Sequence, residues 1–295
     1  MHEINETEDD FPFRVTTFNV GLLDITVGGR VIFEFAPYTR LRVDAVLQAL
    51  LKHEADVVCL QELFHYADAA KITTTLMHKW PYSRIAKKTT PIGFAAGLVT
   101  LSRHPILHDQ VHTFSAQTIT ERLIAKKALL ICEIEHPKLG ELCVGNTHLT
   151  AGGLFVHPES ARAERVRKLQ IKELFEQMEN DDALTLICGD FNCGPGVSDS
   201  NFLGLLRGQF TSACRSQSDG EFFVTWDPQN SLNLNSPHKT SPPQRIDHIF
   251  FSSDLVRQTS NSVARRVFDV PVTLSDGSVV TPSDHYGVAL EVRVN

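Results

Sequence analysis

Four short polar words in this chain each sit where an apolar run gives out: Thr17-Phe18-Asn19-Val20, Leu60-Gln61-Glu62, Gly189-Asp190-Phe191-Asn192 and Ser283-Asp284-His285. A strand that ends in such a word delivers a polar side chain from a rigid sheet to its rim. Together the words supply three carboxylates, amides and an imidazole. Hard oxygen donors such as Glu62 suit a cation like Mg²⁺, which leans on one or two carboxylates and keeps room for substrate oxygens. An acid and an imidazole at the same rim add proton transfer. The combined chemistry is metal-assisted hydrolysis of a phosphate ester. Taken singly, each word reads as a solvated strand end or a turn, where Asn and Asp are common. The spacing Asp190-x-Asn192 is more specific, because residues two apart in an extended segment face the same side.

The elements that must position these words alternate along the chain. Strand character is read at Phe13–Val20, Asp56–Gln61, Gly97–Ser102, Ala128–Glu135, Leu142–His148, Leu184–Gly189, Arg245–Ser252, Val263–Val270 and Tyr286–Val294. Helical spacing predicts helices over Thr39–His53, Ala67–Lys79 and Pro158–Glu179, the last with Val166, Leu169, Leu174 and Phe175 on its apolar side. Strands outnumber helices and often follow one another directly, as in mixed or antiparallel sheets with helices outside. No repeat or interdomain linker is visible. The expectation is a flexible acidic segment over residues 1–12 and one catalytic domain over 13–295.

Composition narrows the function classes. The chain has 295 residues, 42% of them hydrophobic, enough for a large α/β core. Its net charge of −7 argues against a sequence-independent nucleic-acid binder. The six cysteines are scattered with no Cys-x-x-Cys pair, against zinc or dithiol chemistry and for a reducing compartment. Met1–Asp10 lacks the basic start and apolar core of a secretory signal. No apolar run approaches a membrane span. The expected location is cytoplasmic or peripheral to membranes.

The words also fall in a family's order: Asn19, Gln61-Glu62, Asn146-Thr147-His148, Gly189-Asp190-Phe191-Asn192, Arg245-Ile246-Asp247-His248, Ser283-Asp284-His285. On these residues the chain resembles the endonuclease/exonuclease/phosphatase superfamily from about Phe13 to Val294. The resemblance implies a DNase I-like fold of class α/β (α+β), with two packed mixed β-sheets flanked by helices in four layers. It implies Glu62 as principal Mg²⁺ ligand, with Asn19 and Asp284 near the metal; Mn, Co or Ca are possible substitutes. It implies that Asp190 and Asn192 hold the nucleophilic water and the phosphate, that His148 donates to a phosphate oxygen, and that His285, oriented by Asp247, assists the attack. Whether Asp190 or His285 takes the water's proton is left open.

Several further words are similar to the neutral sphingomyelinase branch: Leu60-Gln61-Glu62-Leu63-Phe64, Gly97–Ile106, Ala125-Lys126-Lys127-Ala128 and Thr225-Trp226-Asp227-Pro228 with Asn230. By that resemblance Trp226, Asp227, Asn230 and Lys127 contact substrate. The resemblance implies a phospholipid or sphingolipid substrate at a membrane surface, with a phosphosphingolipid such as sphingomyelin cleaved to ceramide and a phosphorylated head group. A Mg²⁺-dependent nuclease, or an inositol phosphate phosphatase, is the alternative. The chain departs from the branch in two respects. The segment Val267–Pro282, around an Asp276-Gly277 turn, reads as an apolar hairpin without the aromatic tip that relatives insert into membranes. No transmembrane tail is expected after the last strand. A second apolar segment, Leu22–Tyr38 with a Gly28-Gly29 turn, follows Asn19 and is expected to rim the site, by packing on the core or by facing lipid.

Overall fold

The computed structural model describes residues 12–27, 30–86, 94–152, 157–179, 183–207, 210–213, 223–236 and 238–295. In chain order the elements are β1 (Phe13–Asn19), β2 (Asp24–Val27), β3 (Arg30–Glu34), α1 (Thr39–Leu51), β4 (Val57–Gln61), α2 (Tyr66–Leu76), β5 (Tyr82–Ile85), β6 (Val99–Ser102), β7 (Ile106–Thr113) and α3 (Ile119–Leu123). They continue with β8 (Ala128–His136), β9 (Gly140–His148), α4 (Ala161–Met178), β10 (Leu184–Asp190), α5 (Asp199–Arg207), β11 (Phe210–Ser212), β12 (Asp247–Ser252), α6 (Ser253–Arg257), β13 (Thr259–Val267), β14 (Val272–Thr273), β15 (Val279–Val280) and β16 (Gly287–Val294).

Two six-stranded mixed sheets result, in the orders β13-β16-β1-β4-β6-β5 and β11-β12-β10-β9-β8-β7. Alternation along the strands builds the layers. Val57 and Cys59 of β4, Leu130 and Cys132 of β8, and Leu186 and Cys188 of β10 point between the sheets into one core. Their neighbours Val58 and Leu60 point outward under α1 and α2, beside Val46, Leu50 and Ile72. Leu129, Ile131 and Ile187 point outward under α4, beside Ile171 and Leu174. The order helix, sheet, sheet, helix follows from this two-sided apolarity. The free cysteines Cys59, Cys132, Cys143, Cys188 and Cys193 are all buried, as small hydrophobes.

Two parallel pairs aim chain ends at one rim. In β1/β4, Asn19 lies opposite Gln61. In β9/β10, His148 lies opposite Asp190. The antiparallel β12 begins beside them, with Asp247 opposite Asp190. Across the core, Gln61 Nε2 donates to Asn146 Oδ1 at 2.8 Å, and Asn146 Nδ2 donates to the Leu60 and Val99 carbonyls. This buried amide pair ties the two sheets just beneath the site, where an unpaired amide would be costly.

Some expectations change. The longest helix buries Ala163, Arg167, Gln170, Ile171, Leu174 and Met178, while Leu169 is exposed. Its inner face is thus partly polar, because Arg167 and Gln170 satisfy loop carbonyls and amides that no aliphatic group could. The strand expected to run to Val270 ends at Val267, where Phe268 takes a left-handed φ of 61°. Strands β5, β7 and β11 and the short α3, α5 and α6 were not foreseen; their brief or polar sequences carry no clear period. The β14–β15 hairpin packs Leu274 and Val280 on the body with Ala36 and Ala45. The acidic segment, apart from residue 12, and the Gly28-Gly29 turn lie outside the described residues. No described helix is long and apolar enough to cross a membrane.

Candidate active site

The polar words converge at the rim of the two sheets. Asp190 closes β10, almost wholly buried; its Oδ1 accepts the Asn192 backbone N–H at 2.9 Å and its Oδ2 accepts Asn19 Nδ2 at 2.9 Å. The same Asn19 amide donates to Glu62 Oε1 at 3.3 Å, while its oxygen accepts Gly21 N–H at 3.0 Å. Asn19 therefore links the two carboxylates by its nitrogen. His148 Nε2 lies 3.5 Å from Asp190 Oδ2 and 3.7 Å from Glu62 Oε1, and 2.7 Å from Lys127 Nζ. His285 Nε2 approaches Asp190 Oδ2 at 3.9 Å, and its Nδ1 meets Asp247 Oδ2 at 3.0 Å.

Local backbone follows from this geometry. Glu62, the residue after β4, has a φ of 57°, a left-handed conformation that costs a non-glycine residue about 1–3 kcal/mol. Its carbonyl accepts Leu22 N–H, and Leu63 N–H bonds to Gly97 O, so both flanks are pinned. Asn192 is also left-handed, at 50°. The expectation that Asp190 and Asn192 share an extended face is corrected: the chain turns after Asp190, and Asn192 reaches the site because its N–H folds back on the Asp190 carboxylate. Gly21 must be glycine, since a Cβ there would lie 2.0 Å from Asp284 Oδ1.

The Ser283-Asp284-His285 loop is tied to Asn19 directly. Ser283 Oγ donates to Asn19 O at 2.7 Å, and the His285 N–H donates to Ser283 Oγ. Beneath it lies Arg42 of α1, fully buried, a residue that sequence reasoning passed over. It donates to the Val20, Gly21, Pro282 and Pro37 carbonyls at 2.6–3.1 Å. An arginine within an apolar helical period was the available signal. Arg167 does the same on the other sheet, holding Thr150 O, Pro158 O, Ser198 Oγ and Asn201 Oδ1.

The Thr-Trp-Asp word divides. Thr225 Oγ1 accepts the backbone N–H of Ile246 and Asp247. Trp226 lines the cavity beside His285. Asp227 and Asn230 do not line it. Asp227 Oδ1 accepts Gln229 N–H; Asn230 Nδ2 donates to Ser283 O and its oxygen accepts from Thr281. Asn230 thus braces the loop carrying Asp284 and His285 from behind, while Asp227 closes a local turn.

Electrostatics are set by burial. Burial and the nearby Asp284 charge push the Glu62 carboxyl up. Burial and Asp247 raise Asp190 to about 7. Burial opposes charge on His285, but Asp247, Asp190 and Asp284 outweigh it and hold the imidazole protonated well above its ordinary range. Burial, with Lys127 and His285, keeps His148 neutral. Burial also lowers Lys127. Crowded carboxylates raised by burial and by one another are a donor set that a divalent cation would relieve. Ligand atoms of Glu62, His148 and Asp190 lie within 4.8 Å of one another, as do those of Asp190, Asp247 and His285.

The cavity holding these groups has a volume of about 160 Å³. Glu62, Lys127, His148, Asp190, Asn192, Asp284 and His285 form its polar floor. Leu23, Ile25, Phe33, Phe35, Phe64 and Ile124 form an apolar wall rising from Glu62. The segment after Asn19 therefore does rim the site.

The Endonuclease/Exonuclease/phosphatase family matches residues 16–285. The chain belongs to that family. Its members are phosphoester hydrolases. Among curated proteins, this chain is 22% identical over 273 residues to sphingomyelinase C of Listeria ivanovii, covering 86% of this chain and 78% of that one. It is 26% identical over 220 residues to a putative neutral sphingomyelinase of Drosophila melanogaster, covering 72% of this chain and 47% of that one. Among solved structures, SmcL superposes with a TM-score of 0.76 at 19% identity, covering 95% of this chain and 98% of that one. A mutant beta toxin of Staphylococcus aureus with bound magnesium ions gives 0.72 at 20% identity, covering 95% and 99%. TDP2 of Caenorhabditis elegans gives 0.68 at 18% identity, covering 96% and 97%. At these identities the structural likeness shows the DNase I-like fold alone.

Proposed function

We propose that this protein is a Mg²⁺-dependent phosphodiesterase of sphingomyelinase type, acting on a phosphosphingolipid at a membrane surface. One observation carries the reading: within a single cavity a floor of acids and imidazoles meets a wall of Leu23, Ile25, Phe33, Phe35, Phe64 and Ile124. An amphiphile with a phosphate junction matches both halves; a nucleic-acid strand would meet an apolar wall where it needs cations. The sphingomyelinase relatives support the same class.

In this proposal Glu62, with Asp284 beside it, holds the cation, and Asn19 braces Glu62 against Asp190. A bound divalent cation neutralises phosphate charge and stabilises the leaving oxygen. Asn192 and Asp190 place a water on the phosphorus side opposite the lipid oxygen. Asp190, raised towards neutrality, accepts the water's proton as its oxygen bonds to phosphorus. His285, held as an imidazolium by Asp247, offers Nε2–H to the phosphoryl oxygens. Lys127, 2.7 Å from the neutral His148 ring, adds positive charge on the far side. The phosphorus–oxygen bond on the ceramide side breaks, the leaving alkoxide takes a proton from solvent water to become the ceramide hydroxyl, and a phosphorylated head group leaves.

The test is head-group release from sphingomyelin-containing vesicles with and without Mg²⁺, beside plasmid and abasic-site DNA. Mg²⁺-dependent release of phosphorylated head group is expected. DNA cleavage with intact lipid would replace the substrate assignment with a nuclease.

A further inference from the structure

The cavity opens between two lips, and each carries aliphatic side chains out into solvent. One lip is α3. Thr118 caps it, accepting Glu121 N–H while the Glu121 carboxylate accepts Thr118 N–H. This capping box fixes the rotation of a five-residue helix. Thr120, Glu121 and the following Ile124 turn into the cavity. Ile119 and Leu123, four residues apart and hence on one face, turn outward at 65% and 69% exposure. Large aliphatics this exposed, side by side, are unusual unless a surface covers them.

The other lip is β3. Phe33 and Phe35 line the cavity, their rings 4.9 Å apart. The pairing register shifts between Ile25–Phe33 and Thr26–Val31, and this bulge turns Val31, 45% exposed, to the strand face opposite Phe33. The lip is braced at its base: the buried Asp24 carboxylate accepts Arg40 Nε at 2.7 Å and pairs with His65. Ile124, packed in one cluster with Phe35 and Phe64, joins α3 to the apolar wall of the cavity. Arg122 lies exposed between Ile119 and Leu123, and Lys126 follows at partial exposure. Aliphatic tips flanked by basic groups match a lipid surface with anionic head groups. The local positive charge stands out in a chain of net charge −7.

We propose that Ile119 and Leu123 of α3 form a docking lip that seats the mouth of the cavity on an anionic bilayer. The membrane contact lies on α3 rather than on the β14–β15 hairpin, whose Leu274 and Val280 are used up in packing on the body. A lipid lifted between the two lips meets the apolar wall and slides its phosphate to the floor without crossing water. The reading rests on the proposed lipid substrate for its purpose, but the docking itself can be measured without turnover.

The experiment is co-sedimentation with phosphatidylcholine vesicles, with and without phosphatidylserine, in a Glu62→Gln background that does not consume lipid. Ile119→Ser/Leu123→Ser should weaken partitioning by roughly ten-fold or more, from the loss of two inserting side chains. Arg122→Gln/Lys126→Gln should remove the preference for phosphatidylserine. Val270→Ser/Val279→Ser, at the exposed positions of the other hairpin, should change nothing. Because these side chains are exposed, thermal melting should be unaltered in every variant. With Glu62 intact, Ile119→Ser/Leu123→Ser should keep wild-type turnover of a short-chain, monomeric phosphodiester. Equal partitioning of Ile119→Ser/Leu123→Ser and the parent would overturn the proposal, as would loss only in the Val270/Val279 variant or no vesicle binding at all. Docking with no lipid hydrolysed by the wild type would overturn the substrate reading and leave the lip standing.

Discussion

Asp247 Oδ2 lies 3.0 Å from His285 Nδ1, and the backbone N–H of Asp247 is held by the Thr225 hydroxyl. The pair fixes the ring so that Nε2, the atom facing Asp190, is the one presented to the cavity. It also keeps the ring charged, since Asp247 contributes both charge and hydrogen bond against the burial that opposes ionisation. Asp247→Asn removes the charge and keeps the shape. The His285 imidazole, observed by its ring-proton NMR signal, should stay protonated through neutral pH in the wild type. In Asp247→Asn it should titrate at lower pH, with turnover reduced by about 10²-fold or more. An unchanged titration would show that Asp247 does not set the charge of His285.

Glu62 joins a strained backbone to a carboxyl raised by burial and by Asp284. A cation offsets both the buried charge and the repulsion, so binding should stabilise the folded state by mass action. The wild type should gain melting temperature on Mg²⁺ addition and lose it with EDTA. Glu62→Gln should show little response to either, and turnover should fall by about 10²-fold or more. A full Mg²⁺-dependent shift in Glu62→Gln would move the cation elsewhere.

Arg42 holds four backbone carbonyls, those of Val20 and Gly21 after Asn19, Pro282 before Asp284 and Pro37 before α1, yet it does not line the cavity. Arg42→Met keeps most of the side-chain volume and strands those carbonyls. With each unsatisfied group costing about 1–3 kcal/mol, the variant should unfold at clearly lower denaturant. Material that remains folded should turn over more slowly, with Mg²⁺ affinity weakened through Asp284. Wild-type stability in urea titration would show that water replaces the guanidinium without cost.

Much of this site was legible because strand-ending polar words are local: Asn19, Glu62, His148 and Asp190 were each visible at the end of an apolar run. The rim they share follows from two parallel pairings, β1/β4 and β9/β10, which the sequence did not specify. What was not legible depends on distant partners. Arg42 and Arg167 become buried only because loops from elsewhere in the chain bring carbonyls to them. Asp227 and Asn230 share a word with Trp226, but a turn at Asp227 keeps both out of the cavity and sets Asn230 behind the loop. The lip on α3 escaped because five residues are too few to show a helical period.

His248 shows how the fold spends buried imidazoles away from the site. It is fully buried among Phe191, Phe202 and Phe250, and its Nε2 donates to Cys193 O at 2.9 Å. Burial, then the Arg245 charge, lowers its pKa to about 3. In the unfolded chain the same group titrates near 6.5. At pH 7 both states are neutral and nothing is lost. As pH falls below about 6.5, the unfolded state binds a proton that the folded state refuses until about pH 3, so stability falls across that window. His53 and His136, lowered by burial to about 4, act in the same direction with more solvent around them. The melting temperature should therefore drop steadily from pH 7 to pH 4. His248→Phe continues the aromatic cluster and removes one titrating group, at the expense of the Cys193 bond. It should melt lower than wild type at pH 7 but lose stability less steeply, by up to about 1.4 kcal/mol per pH unit between pH 6 and 4. Parallel pH profiles for the two proteins would show that His248 is already protonated in the fold and that its Nδ1 has found an acceptor.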